Sequence, residues 1–129
     1  MNGTLVPDDQ ARVPVTDHGL TTGDGVFEAL KVTGGVPFAL TRHLARLCAS
    51  ARGLGLAEPD LDQIRAGVDA VLADAGRPDR AGIRITVTAG ESSLGSQRTA
   101  AAPAMIIQLG ELHDAAPTCD VITDRKSVV

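Results

Sequence analysis

Aromatic side chains are almost absent from this chain of 129 residues, which contains two phenylalanines and neither tyrosine nor tryptophan. Any binding site in it must therefore work without a phenol or an indole group. Cysteine is equally scarce, because Cys48 and Cys119 stand alone and far apart. That spacing matches neither a zinc site nor a disulfide framework, so we expect a reducing, cytoplasmic environment.

The chain also lacks an excess of positive charge. It has 12 lysines and arginines against 16 aspartates and glutamates, which gives a net charge of −4 at pH 7. Nucleic acids and anionic membranes are bound by clustered basic residues, so we expect neither as a partner. No apolar run approaches the roughly 20 residues that span a bilayer, and the start of the chain does not resemble a secretory signal.

Common catalytic motifs are missing as well. There is no G-x-S-x-G elbow, and the three histidines lack partners at catalytic or metal-binding spacing. The turn Gly23-Asp24-Gly25 could hold a phosphate through its backbone N–H groups, but it leads into a strand and not into the helix that would strengthen such a site. By itself this turn identifies no ligand.

What the sequence does contain is a dense series of turn, strand and helix signals from Val13 to Leu47. Residues 26–33 alternate with period two, which predicts a strand with two different faces. Val26, Glu28, Leu30 and Val32 form one face, which we interpret as mostly core. The other face either lines a cavity or is exposed to solvent, and it comprises Phe27, Ala29, Lys31 and Thr33.

Further elements are predicted on both sides of this strand. The alternation in 13–16 predicts a short edge strand, and a loop should follow over 17–25. The Gly34-Gly35 pair predicts a tight hairpin whose second strand runs over 36–40. Downstream we predict a strand over 82–89, a mobile loop without regular structure over 90–103, a strand over 104–109 and the start of another at 119–123.

Two helices are predicted from apolar spacing. Thr41 is the expected N-cap of the first, which should run to about Arg52. The second should begin near Pro59-Asp60 and stop at Gly76. Arg46 lies in the early turns of the first helix, beside its apolar stripe. A guanidinium in this position either pairs with an acid or binds a phosphate or carboxylate, and the spacing alone leaves both open.

Four motifs, in order and spacing, resemble the N-terminal domain of the class IV, or fold-type IV, pyridoxal-phosphate enzymes. This family includes branched-chain aminotransferases, D-amino-acid aminotransferases and aminodeoxychorismate lyases. The strand GIRITVTAG is also similar to its family counterpart, so the resemblance covers essentially the whole chain. The motifs are Asp17-His18-Gly19, Gly23-Asp24-Gly25-Val26-Phe27-Glu28, Gly34-Gly35 and His43-Leu44-Ala45-Arg46-Leu47.

The resemblance implies an α+β fold, namely a two-layer small domain with a mainly antiparallel sheet covered by two helices. It implies pyridoxal 5'-phosphate as cofactor, with Arg46 binding the cofactor phosphate. Phe27, Ala29 and Lys31 would line the substrate pocket, and Arg98, in the loop after the second long strand, is a further pocket candidate. His43 would steady the helix rather than take part in chemistry.

The motifs depart from those of the individual members, which leaves the substrate open. Thr22 stands where branched-chain aminotransferases usually carry a tyrosine, and Phe27 where D-amino-acid aminotransferases use one. The loop 91–98 lacks the arginine and histidine pair of the latter in register, although its L-G-S-x-R segment is similar to some lyase-like members. The resemblance therefore implies a small amino or keto acid or an aminodeoxychorismate-type substrate.

The family's catalytic lysine, which forms the Schiff base with the cofactor, has no match here. Lys126-Ser127 echoes its motif without the glycine or the Ser/Thr-Tyr that should surround it, so we expect no catalytic residue in this chain. Asn2-Gly3 predicts a hairpin turn without its first strand. We therefore interpret 1–117 as the N-terminal domain and 118–129 as a linker and the start of a missing C-terminal domain, in a protein that is a homodimer at full length. The alternative is an inactive, standalone α+β binding or assembly module.

Overall fold

A four-stranded antiparallel sheet with helices packed on one face forms the framework of the protein. It is seen in a computed structural model that describes residues 1–98, 102–112 and 118. The elements are a 3-10 turn Asp8–Gln10, helices α1 His18–Thr21, α2 Leu40–Gly53 and α3 Leu61–Asp74, and strands β1 Gly25–Thr33, β2 Val36–Pro37, β3 Arg80–Thr88 and β4 Met105–Gly110. The strand order is β2-β1-β3-β4, which confirms the predicted two-layer α+β architecture.

The central pair of the sheet is β1 with β3, which are in register from Gly25 opposite Thr88 to Thr33 opposite Arg80. Since side chains alternate across a pleated strand, this pairing decides which residues face the helices. Leu30 and Val32 are buried under the helices. The period-two prediction for β1 is confirmed, with one face in the core and the other on the open side of the sheet.

The core lies between this sheet and the apolar stripes of α2 and α3. α3 begins where predicted, because the side chain of Asp60 accepts hydrogen bonds from the backbone N–H groups of Asp62 and Gln63, both at 3.0 Å. Each helix places its apolar residues at i, i+3 or i+4 spacing against the strands. The fully buried large side chains include Leu44, Leu47, Ile64, Leu72, Ile83 and Ile85.

The hairpin between β1 and β2 forms as predicted, but its second strand is shorter. Gly34 and Gly35 both have positive φ, 59° and 72°, which a two-residue hairpin turn requires. β2 contains only Val36 and Pro37, because the chain turns directly into α2. The prediction of Thr41 as N-cap is wrong: Ala39 occupies that position in a left-handed conformation without a side-chain cap.

The segment before β1 also differs from the prediction. Residues 13–16 form no regular strand, because Asp17 stops the extended run by accepting a hydrogen bond from Gly19 N at 2.7 Å and capping α1. α1 lies within the predicted 17–25 loop. No helix of the described residues is long and apolar enough to span a membrane. The predicted strand 119–123 and all of the 118–129 linker except Thr118 lie outside the described residues.

We expect Ile85→Ala to lower the free energy of unfolding by about 2–5 kcal/mol, because Ile85 is completely buried in the centre of the sheet. Chemical denaturation measures this loss. Leu94 is 95% exposed, so Leu94→Ala should change stability by less than about 0.5 kcal/mol. Equal losses in the two variants would contradict the placement of the core.

Candidate functional site

The open face of the sheet carries the three residues expected to line a substrate pocket. Phe27, Ala29 and Lys31 all lie on this face, and Phe27 remains 54% exposed. Lys31 Nζ is 5.1 Å from the centre of the Phe38 ring. This surface therefore combines exposed aromatic rings with an ammonium group.

Arg84 is a residue of this face that the sequence reasoning missed. It lies opposite Ala29 in the pairing of β1 and β3, and its guanidinium stacks on the ring of Phe27 at 3.7 Å. An arginine over an aromatic face is held by a cation–π attraction. The arginine occupies an outward position in the alternation of β3, but only the strand register could show that it meets Phe27.

Arg46 lies in α2 on the helix-covered side of β1, where it pairs with Glu28. Its Nε and Nη2 donate to the two carboxylate oxygens of Glu28 at 2.6 and 2.5 Å. The hydrogen bond from Arg46 lowers the pKa of Glu28, burial raises it, and a contact with His43 lowers it further. The carboxylate is therefore ionised at neutral pH. Of the two sequence-based alternatives for Arg46, the pairing with an acid is therefore observed.

The predicted phosphate residue and the predicted pocket residues thus lie on opposite faces of β1. β2 pairs only with Val32 and Thr33, at the end of β1. Within the described residues, no strand pairs with the rest of this edge of β1, residues 25–30. Arg46 stands on one side of this open edge and Phe27 on the other. A ligand that reaches both must lie across the edge.

Arg98, the third predicted site element, joins different parts of the chain. Its Nε and Nη2 donate to the carboxylate of Asp24 at 2.9 and 2.8 Å, and its Nη1 donates to the carbonyl oxygens of Leu54 and Gly55 at 2.7 and 3.0 Å. Four of the five guanidinium N–H groups are engaged in this way. These contacts favour a role for Arg98 as an anchor that holds the loop to the turn before β1 and to the end of α2. They favour this role over the predicted one in the pocket.

The Asp17-His18-Gly19 motif completes this anchored region. Asp17 and His18 are fully buried, and the hydroxyl of Thr88 donates to Asp17 Oδ2 at 2.8 Å. His18 Nε2 donates to the carbonyl oxygen of Ser93 at 3.0 Å. These bonds tie the segment before β1 to the end of β3 and to the loop that follows it. The described residues contain no group of side chains that could hold a metal ion.

A comparison with protein-family profiles matches the chain from the first residue of β1 onwards. A profile of the amino-transferase class IV family matches residues 25–127, which is most of the chain. The chain belongs to this family. A protein from Methanocaldococcus jannaschii assigned as a branched-chain-amino-acid aminotransferase is 38% identical over 95 residues, covering 74% of this chain and 33% of that protein. The D-alanine aminotransferase of Bacillus licheniformis is 38% identical over 55 residues, which are 43% of this chain and 19% of the enzyme.

Solved structures of class IV proteins share the fold. The 4-amino-4-deoxychorismate lyase of Pseudomonas aeruginosa superposes with a TM-score of 0.73 and 35% identity, over 90% of this chain and 40% of the lyase. A hypothetical aminotransferase of Mycobacterium tuberculosis in its PLP-bound form superposes with a TM-score of 0.71 and 28% identity, over 82% and 36% of the two chains. The matches span only 19–40% of the length of these class IV relatives.

We expect Arg98→Ala to loosen the loop 91–98, because four hydrogen bonds across the anchor are lost. Cleavage by chymotrypsin after the exposed Leu94 should accelerate by about threefold or more, since local opening governs such cleavage. Arg12, whose guanidinium bonds to the carbonyl of the adjacent Ala11, provides the control. Equal acceleration in Arg12→Ala would contradict the anchor.

Acid should weaken the same anchor. The hydrogen bond from Arg98 lowers the pKa of Asp24 from 3.8 to about 2. As the pH falls, Asp24 is protonated in the unfolded chain before it is protonated in the folded protein. The stabilisation by its pair with Arg98 is therefore fully present above pH 3.8 and is lost as the pH falls towards 2. The free energy of unfolding should therefore fall more steeply between pH 4 and pH 2 in the wild type than in Asp24→Asn or Arg98→Ala. Parallel curves for all three proteins would refute this assignment.

Proposed function

We propose that this chain is the N-terminal part of a pyridoxal-phosphate-dependent class IV aminotransferase or an aminodeoxychorismate-lyase-like enzyme. In this proposal Arg46 binds the cofactor phosphate, and Phe27, Ala29 and Lys31 form one wall of the substrate pocket. The observation that carries the proposal is an arginine guanidinium held beside an open strand edge, in a chain of the class IV family.

The geometry of Arg46 fits a phosphate ligand. Its side chain is 66% exposed although the carboxylate that it pairs with is almost completely buried. None of its hydrogen bonds to described residues uses Nη1. That part of the guanidinium can donate to a dianion, which is the kind of contact that arginine makes best. Pyridoxal phosphate, when bound, supplies the electron sink for chemistry at the α-carbon of an amino acid.

The open face of the sheet suits the substrate side of the proposal. Amino acids, keto acids and aminodeoxychorismate all carry carboxylates, which lysine and arginine attract. Lys31 and Arg84 place two cations on this face, and Phe27 adds an apolar surface between the strand edge and Arg84. Arg84 therefore joins the proposed pocket wall, while Arg98 is proposed to hold the neighbouring loop.

The location of the lysine to which the cofactor is attached is the second part of the proposal. The sequence contains two lysines, Lys31 and Lys126. Lys31 projects from the pocket face and Lys126 lies outside the described residues, and we propose that neither is the catalytic lysine. Residues 1–117 would then be one domain of a longer, homodimeric enzyme, with the catalytic lysine in the other domain.

We expect Arg46→Ala to weaken binding of pyridoxal 5'-phosphate by about tenfold or more, because a charge-assisted contact to the phosphate is lost. Titration of the ¹⁵N-labelled chain, followed by NMR, measures the affinity. Pyridoxal, which has no phosphate, should bind both proteins equally weakly. Arg52 lies on the same helix and pairs with Glu58 at the surface, so Arg52→Ala is the matched control.

Equal binding of pyridoxal 5'-phosphate by the wild type and Arg46→Ala would refute the phosphate role. It would favour the alternative of an inactive binding or assembly module. Reduction with borohydride followed by mass spectrometry tests the second part of the proposal. A single stoichiometric cofactor adduct on Lys31 or Lys126 would show that this chain contains the attachment lysine after all.

A further inference from the structure

Glu28 is an unusual residue for its position. It lies on the core face of β1, where its neighbours are Leu30 and Val32, and it is only 4% exposed. A carboxylate buried in such surroundings is costly unless its oxygens accept hydrogen bonds. Arg46 supplies two, and His43 Nδ1 donates a third to Oε2 at 2.8 Å. The acid is thus fixed by the strand and by two residues of α2.

The pair between Glu28 and Arg46 is asymmetric. The acid is buried, whereas the arginine side chain is two-thirds exposed. Glu28 occupies the Nε and Nη2 edge of the guanidinium, and no described residue bonds to Nη1. The plane of the guanidinium is therefore set from the protein side, while its outer end stays open to solvent.

We propose that Glu28 is a positioning residue for the binding of a phosphate by Arg46. By holding one edge of the guanidinium, it presents the other end in a single orientation across the open edge of β1. His43 supports this arrangement by fixing the carboxylate. The inference rests on the proposed function, because it takes Arg46 as the phosphate ligand.

Charge repulsion alone would make Glu28 weaken phosphate binding, which is the opposite of a positioning effect. A carboxylate next to an anion site repels the anion, so its removal should strengthen phosphate binding. If positioning dominates, its removal should weaken binding, because a flexible arginine must then be immobilised by the ligand itself. The sign of the change in affinity therefore separates the two roles. A role in packing α2 against β1 would alter only stability.

The experiment is a titration of the ¹⁵N-labelled chain with inorganic phosphate at constant ionic strength, observed through its NMR signals, including Arg46 Nε–H. We expect Glu28→Gln to bind phosphate about two- to tenfold more weakly than the wild type, with faster exchange of the Arg46 Nε–H proton. The control Glu58→Gln removes an exposed acid from the surface pair with Arg52 and should leave phosphate affinity unchanged.

Arg46→Lys provides a second test that does not depend on a substitution in the core. Lysine keeps the charge but lacks the planar guanidinium that Glu28 holds by one edge, so the phosphate affinity of Arg46→Lys should fall almost to that of Arg46→Ala. Unchanged or tighter binding by Glu28→Gln, or wild-type affinity of Arg46→Lys, would overturn the positioning role while Arg46→Ala still lost phosphate. If Arg46→Ala bound phosphate as well as the wild type, both the positioning role and the phosphate role of Arg46 would be refuted.

Discussion

The antiparallel pairing of β1 with β3 is the constraint on which the rest of the structure depends. Its register runs without a break from Gly25 to Thr33, and it assigns every side chain of β1 to one of two faces. A shift by one residue would move Glu28 to the open face and Phe27 into the core. The core and the candidate site are therefore set by the same hydrogen-bond ladder.

The two faces of β1 lie in different environments. The helix side buries branched apolar residues and admits one carboxylate, which is tolerated because three donors from α2 meet it. The open side keeps Phe27 exposed and places Arg84 on its ring. The proposed function gives this division a meaning, since the proposed cofactor and substrate would meet on the two sides of one strand edge.

The loop that follows β3 shows how an irregular segment can still be held in place. Arg98 bonds to Asp24 and to the end of α2, and His18 bonds to the carbonyl of Ser93. These contacts join three segments that are far apart in sequence. They favour a structural role for Arg98, whereas Lys31 and Arg84 are among the cations of the open face.

Local patterns in the sequence by themselves determined the strand β1, the Gly34-Gly35 turn and α3, because period-two alternation, positive φ at paired glycines and helical apolar spacing act over a few residues. The fold class followed from the resemblance of the motifs to a known family. The motifs likewise identified the family and directed attention to Arg46. The sequence did not predict α1, which the buried Asp17 caps, or the N-cap of α2 at Ala39, where the tight connection from β2 overrides local preference. Only the tertiary structure brought Arg46 onto Glu28, Arg84 onto Phe27 and Arg98 onto Asp24, since each pair is joined by strand register or by packing between segments distant in the chain.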